Sequence, residues 1–401
     1  MEAKMFKLNC NVLIIVLTLV ICKSAYAQYE LRRPSDDKID TMGFWDSAHH
    51  WYSIHDEDHI ISPLPGQERY KIFEITKIAD NVLLFQKANG GWAKNYDMLA
   101  VLSEEQKRIV AGAFKDTNTT LDNGTTHSQV EYLARAFEIT RDARYKDASL
   151  RGMDFMLSAQ YGNGGWPQFY PDTSGYRKYI TFNDGAMAGV MKVLLDVIQN
   201  KPYYSFVDDV RRDRARKAFA RGVDCILKCQ IVQAGSLSAW GQQHDNVDFR
   251  PRDARTFEPA SISGGESAEI VLLLMRIDQP SKDVIQAVQS AVRWFDRSKL
   301  FGIRVKEISA PTAHFIYHTT SFDRIVVADS MAPPIWARLY ELGTNRPLFC
   351  NRDRKPVYSL AEVERERRTG YSWYTYAPEE VLRTYPDWQR RWALLENVMQ
   401  K

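Results

Sequence analysis

The sequence predicts a mainly α-helical protein assembled from helical hairpins, on three observations. First, Trp92, Trp166 and Trp240 recur at an equal spacing of 74 residues. Two of them lie in near-copies, Asn89-Gly90-Gly91-Trp92-Ala93-Lys94-Asn95-Tyr96 and Asn163-Gly164-Gly165-Trp166-Pro167-Gln168-Phe169-Tyr170, and the third in a looser version, Ser238-Ala239-Trp240-Gly241-Gln242-Gln243. Second, Thr120-Leu121-Asp122-Asn123-Gly124 is echoed by Thr181-Phe182-Asn183-Asp184-Gly185, and Ser261-Ile262-Ser263-Gly264-Gly265 fills the same slot before Glu266. Third, Val130, Leu133, Ala134 and Phe137, and again Met187, Val190, Met191 and Leu194, have the i, i+3, i+4, i+7 spacing of one helical face.

Each unit therefore reads as polar loop, helix, Gly-Trp loop, helix. About three such hairpins, each with one apolar stripe, must pack on their neighbours to bury it. A closed ring of helix pairs, an α/α toroid, does this without exposed ends, and an open helical solenoid is the alternative. Either way the loops at one end gather into one cleft, and the Asp, Asn, Gly and Trp residues lie in those loops. From about Phe301 the pattern changes. Arg304-Val305 and Arg324-Ile325-Val326-Val327-Ala328-Asp329 read as strands of a small sheet, and Pro333-Pro334 as a break before a helix over 335–341. The charge-rich stretches 211–217 and 362–368 read as solvated helix faces.

The chain begins with an export signal: Lys4 and Lys7, an apolar run from Val12 to Cys22, and Ala25-Tyr26-Ala27 as a small-residue cleavage site. The run is shorter than the roughly 20 residues of a membrane span, so none is expected. A secreted or periplasmic protein starting near Gln28 follows. Leu19-Val20-Ile21-Cys22 loosely resembles a lipoprotein box, but bulky Ile21 argues against lipidation. Residues 28–401 then form a single domain, in which 28–80 is an extension of unassigned role. Residues 1–27 carry three lysines and one glutamate, so their removal takes the formal charge from +3 to +1. That balance excludes a nucleic-acid footprint, and a monomer is expected. Of the five cysteines only Cys225, Cys229 and Cys350 remain, too few for a disulfide framework.

Asp122 and Asp184 open equivalent helices. They read either as caps for free backbone N–H groups or as oxygen ligands for a hard cation. Arg250, Arg252 and Arg255 lie in one loop, either solvated and paired to Asp253 or Glu258, or suited to gripping carboxylates in bidentate fashion. Trp92, Trp166 and Trp240 either line a sugar-binding groove or pack between repeats.

Taken in order, Gly91-Trp92-Ala93-Lys94-Asn95, Thr120-Leu121-Asp122-Asn123, Phe182-Asn183-Asp184-Gly185-Ala186-Met187, Ala254-Arg255-Thr256-Phe257-Glu258-Pro259 and Gly343-Thr344-Asn345-Arg346-Pro347 resemble the motifs of the family 10 polysaccharide lyases, from about Phe85 to Tyr374. The resemblance implies an α/α toroid, Ca²⁺ dependence and cleavage of polygalacturonate (pectate). It also implies residue roles: Asp122 and Asp184 for calcium and substrate, Arg255 as the base, and Arg346 as a substrate-binding arginine. Lys94, Arg252, Trp92 and Trp166 complete the candidate substrate-binding set, with Arg252 close enough to Arg255 for the loop alignment to slip. Two other functions fit the same residues. One is an inverting glycoside hydrolase using Asp122, Asp184 or Glu266, and the other a carbohydrate-capturing surface protein without catalysis.

Overall fold

The computed structural model describes residues 38–54, 59–394 and 398–399. The export segment 1–27 lies outside the described residues. Those residues are mainly α-helical, with α1 Trp45–Ser53, α2 Ile75–Phe85, α3 Glu104–Gly112, α4 His127–Thr140, α5 Ala143–Ser158, α6 Ala186–Ile198, α7 Asp209–Cys229, α8 Gly264–Met275, α9 Lys282–Arg297, α10 Arg365–Gly370 and α11 Ala377–Trp392.

Two rows of helices follow from the distribution of apolar side chains. Along α6 nearly every side chain is buried, as expected of a helix that is apolar all round. It packs between α4 and α8, and α2 and α11 extend that inner row at either side. Outside it α5, α7 and α9 each pack on the preceding helix and present one charged face to water. The 211–217 stretch lies on the exposed side of α7, where Lys217 pairs with Asp213. These outer helices start from side-chain caps: Asp142, Asp208 and Ser281 accept N–H bonds from their first turns.

The recurring tryptophans are the staples of this arrangement. Trp92 Nε1 donates to Val82 O at 2.8 Å, Trp166 Nε1 to Met156 O at 2.8 Å and Trp240 Nε1 to Ile226 O at 2.7 Å. Each indole thus satisfies a carbonyl near the end of the preceding helix, where carbonyls lack partners. Trp336 does the same to Phe295 O at 2.9 Å, at the end of α9. The Asn-Gly-Gly-Trp loops superpose in detail. Gly90 (φ +93°) and Gly164 (φ +95°) run so close to the carbonyls of Arg151 and Arg221 that a Cβ would fall 2.5 and 2.1 Å from them, so only glycine fits.

The β element is larger than the sequence suggests, and one helix is absent. Ile303–His314 and Thr319–Ala328 form one long antiparallel hairpin with an irregularity between Ser309 and Ala313. Residues 335–341, expected to be helical, instead supply the strands Trp336–Ala337 and Leu339–Glu341. Seven residues are too few for a 3.6-residue period to distinguish helix from strand. Tertiary pairing decides: Leu339–Glu341 sits between Ser261–Ser263 and Pro347–Cys350 in a four-stranded sheet.

Candidate active site

One backbone stitch, repeated three times, gathers the site. The carbonyls of Trp92, Trp166 and Trp240 accept from the N–H groups of Thr120, Thr181 and Ser263 at 3.0, 3.0 and 2.7 Å. The next residues, Leu121, Phe182 and Gly264, donate to the carbonyls of Gln168, Gln242 and Arg338 at 3.0, 2.8 and 2.9 Å, each two positions beyond a staple tryptophan. Consequently Asp122, Asp184 and Glu266 follow equivalent stitches, and Lys94, Gln242 and Arg338 face them from equivalent sites two residues after a tryptophan.

Lys94 Nζ holds Asp122 Oδ2 at 2.8 Å, while Asp122 Oδ1 is buried without a hydrogen-bond partner. Asn183 Oδ1 receives Gln242 Nε2 at 2.7 Å and Arg338 Nη2 at 2.9 Å. Arg338 Nη2 also reaches Glu266 Oε1 at 3.0 Å and Asp184 Oδ1 at 3.5 Å, yet its Nε is buried and unpartnered. Neither aspartate caps a helix. The N-caps of α4 and α6 are Thr126 and Gly185, and neither makes a side-chain cap bond. Asp184 itself is held at φ 48°, ψ 33°, and Asn95, Asn123 and Thr126 also have positive φ. Such backbone strain is concentrated where side chains must be aimed. Burial pushes the Asp184 carboxyl up to about 7, with the nearby Asp122 adding to the shift and Arg338 opposing it.

Arg255 enters from the 250–259 loop. Its Nε and Nη2 grip Glu258 Oε2 and Oε1 at 2.8 and 2.7 Å, a fork that also fixes the guanidinium plane. Burial raises the Glu258 carboxyl and lowers Arg255, but the pair overrides both, leaving Glu258 at about 2 and Arg255 well above its ordinary range. Tyr371 ties the two limbs together: its hydroxyl lies 3.1 Å from Glu258 Oε1, and its ring sits under Arg338 at 4.3 Å and Arg255 at 5.9 Å. Tyr176, on the turn Gly175–Lys178, completes the cleft. Burial raises its hydroxyl, while Arg255 and Lys94 pull it down.

Asp122, Asp184, Lys94 and Arg255 are thus brought together, and four other candidate residues are not. Trp92 and Trp166 are fully buried, so as sugar-binding residues they are corrected to core staples; a ring with no accessible face cannot meet a substrate. Arg252 pairs outward with Asp245 at 3.0 Å and Asp248 at 3.1 Å, which separates it from Arg255. Arg346 stacks on Tyr358 at 3.7 Å beside Glu341, at the outer end of the four-stranded sheet.

No sequence motif singles out Arg338, Gln242, Tyr371 or Tyr176 as site residues, and Glu266 enters only as a candidate of the hydrolase reading. The signal for Arg338 is its place two residues after Trp336, as Lys94 follows Trp92, but the 303–328 hairpin breaks the 74-residue period. Nor is 362–368 only a solvated face. Arg367 is buried, and with Arg255 and Arg352 it packs on the Phe257 ring at 4.5, 4.9 and 5.1 Å.

Among the described residues no group of three or more His, Cys, Asp or Glu side chains converges closely enough to hold a metal ion unaided. Asp122 and Asp184 are the carboxylates that a hard cation would meet in this cleft.

The pectic acid lyase family model matches residues 86–382. The solved family 10 polysaccharide lyase from Cellvibrio cellulosa is 32% identical, with a TM-score of 0.68 over 77% of this chain and 91% of that one. An aspartate-to-alanine mutant of that lyase in complex with trigalacturonic acid gives the same identity and TM-score, over 77% and 92%. No curated protein matches the chain. With the family model spanning most of the sequence and these structures following its fold, the chain belongs to the pectic acid lyase family.

Proposed function

We propose that this pectate lyase cleaves polygalacturonate by calcium-assisted β-elimination, with Arg255 as the base, in a helical body closed into an α/α toroid. The observation that carries the proposal is the pair of buried, unpartnered atoms in one cluster, Asp122 Oδ1 and Arg338 Nε. Buried polar atoms are normally satisfied, so an orphaned acceptor beside an orphaned donor suits a cation together with a uronate carboxylate. Similarity to a lyase solved with trigalacturonic acid supports the same substrate class here. For the toroid, the support is the repeated stitch and the succession of inner helices from α2 to α11.

Asp122 and Asp184 would hold Ca²⁺ through oxygen, and their character fits that hard ion. When bound, it would withdraw charge from the substrate's C6 carboxylate and make the C5 proton more acidic. Arg338 would orient that carboxylate through its guanidinium. Lys94 holds Asp122 in place through its Oδ2. Arg255 takes the C5 proton, the C5–H electrons form the C4=C5 double bond, and the C4–O bond breaks. The departing oxygen collects a proton from water. Glu258 orients the base and also favours its charged form. An alkaline optimum follows, because a guanidine must lose a proton before it can accept one.

Incubation with polygalacturonate tests the reading. Ultraviolet absorbance from the unsaturated chain end should rise with Ca²⁺ and stop with chelator. Chain shortening without absorbance would replace the lyase reading with hydrolysis. Export and cleavage near Gln28 belong to the same proposal, and N-terminal sequencing of the mature protein checks them.

A further inference from the structure

The family model starts at residue 86, yet α1, at 45–53, reaches the same cleft. Phe44 and Trp51 anchor α1 in the core: Phe44 packs on Tyr132 at 5.3 Å, and Trp51 Nε1 donates to Ile61 O at 3.1 Å. Its first turn is clasped to the loop that follows Asp122. Ser47 Oγ donates to Asn123 O at 2.9 Å and lies 3.1 Å from Thr125 Oγ1. The backbones approach so closely that a Cβ on Gly124 would fall 2.2 Å from Gly43 O, and one on Gly43 would fall 2.7 Å from Ser128 Cβ.

Asp46, beside Ser47 in that first turn, is therefore carried close to the cluster. It is half-buried, makes no ion pair among the described residues, and its charge reaches Asp184. Without it the cleft sets four carboxylates, Asp122, Asp184, Glu258 and Glu266, against three cations, Lys94, Arg255 and Arg338. A substrate uronate adds negative charge only after binding. Asp46 thus doubles the excess negative charge that these side chains themselves offer a divalent ion.

We infer that Asp46, carried by a segment outside the family's matched region, is a third carboxylate of the divalent-cation site and sets its affinity through charge at the rim rather than by direct coordination. Direct ligation is disfavoured because no three carboxylates converge tightly among the described residues. A charge at a wet rim is screened by water, so the effect is a moderate one.

The inference rests on the calcium reading above, and the test separates the two. Calcium is titrated calorimetrically into the full-length mature chain carrying Arg255→Lys and saturated with trigalacturonate, so that turnover is slow on the timescale of the titration. Asp46→Asn should weaken calcium binding about three- to tenfold, and Asp46→Glu should restore it to within twofold, since only charge is needed. Asp184→Asn should nearly abolish binding. Unchanged affinity in Asp46→Asn overturns the inference, as does failure of Asp46→Glu to restore it. No calcium binding by the parent, or unchanged binding in Asp184→Asn, overturns the calcium reading itself. Ser47→Ala controls for docking: it loosens α1 without removing charge, so a loss as large as that in Asp46→Asn would assign the effect to the helix and not to its carboxylate.

Discussion

In the proposed mechanism Arg255 and Arg338 divide the labour of the cleft by what each is tied to. Arg255 is locked by a two-point fork to Glu258, a geometry that lysine cannot reproduce. Arg255→Lys should keep the positive charge, and with it a Michaelis constant within about threefold, while kcat falls about 10²–10⁴-fold, the range for losing a placed base. Near-normal turnover in that variant would remove Arg255 from the base role. Arg338 keeps one donor free and bridges Asp184 and Glu266. Arg338→Ala should raise the Michaelis constant at least about tenfold, since a charge-assisted bond to the uronate carboxylate is worth about 1.5–3 kcal/mol. Arg346→Ala should leave both constants within twofold, because its guanidinium is spent on Tyr358 outside the cleft. Equal losses in the two variants would contradict this assignment. The aspartates were legible in the sequence because they sit inside the repeat. Arg338 was not, because the hairpin insertion hides the fourth tryptophan that announces it.

The Gly-Trp loops show how one spacing can support two readings until burial decides. Equal intervals between tryptophans established repetition, but not whether the rings face sugar or core. The answer depends on the direction of the loop, which the stitch to the next repeat sets. Trp166→Phe should therefore lower stability by about 2–3 kcal/mol, from the lost indole bond to Met156 O and the incompletely filled space. Well below the melting temperature, kcat and the Michaelis constant for polygalacturonate should stay within twofold. A selective loss of substrate affinity at unchanged melting temperature would return this ring to the binding surface. The strands at 336–341 illustrate the opposite limit: they exist because Ser261–Ser263 and Pro347–Cys350 are there to pair with, and no local pattern contains that information. Helix periodicity carried the inner row, where apolar faces are long, and failed where partners are remote.

Over the whole molecule, buried titratable groups oppose one another in pH. His244 accepts from Gly241 N at 2.9 Å and its Nδ1 lies 2.8 Å from Phe249 O, an arrangement that a neutral ring satisfies. Burial lowers it to about 4, and burial with Lys192 nearby lowers His127 to about 3. For these histidines the folded value lies below the unfolded one, so their stabilisation is present above about 6.5 and is lost as pH falls toward 4 and 3. Asp184 runs the other way. Its folded value of about 7 lies above the unfolded value near 3.9, so its contribution is full below about 4 and is lost as pH rises through 7. In chelator, melting temperature should thus fall on the acid side through the histidines and lose some ground above neutrality through Asp184, and Asp184→Asn should recover that alkaline loss. Added calcium needs the ionised carboxylate, so it should raise the melting temperature more at pH 8 than at pH 5.5. Equal calcium stabilisation at both pH values would mean that the ion binds somewhere other than beside Asp184.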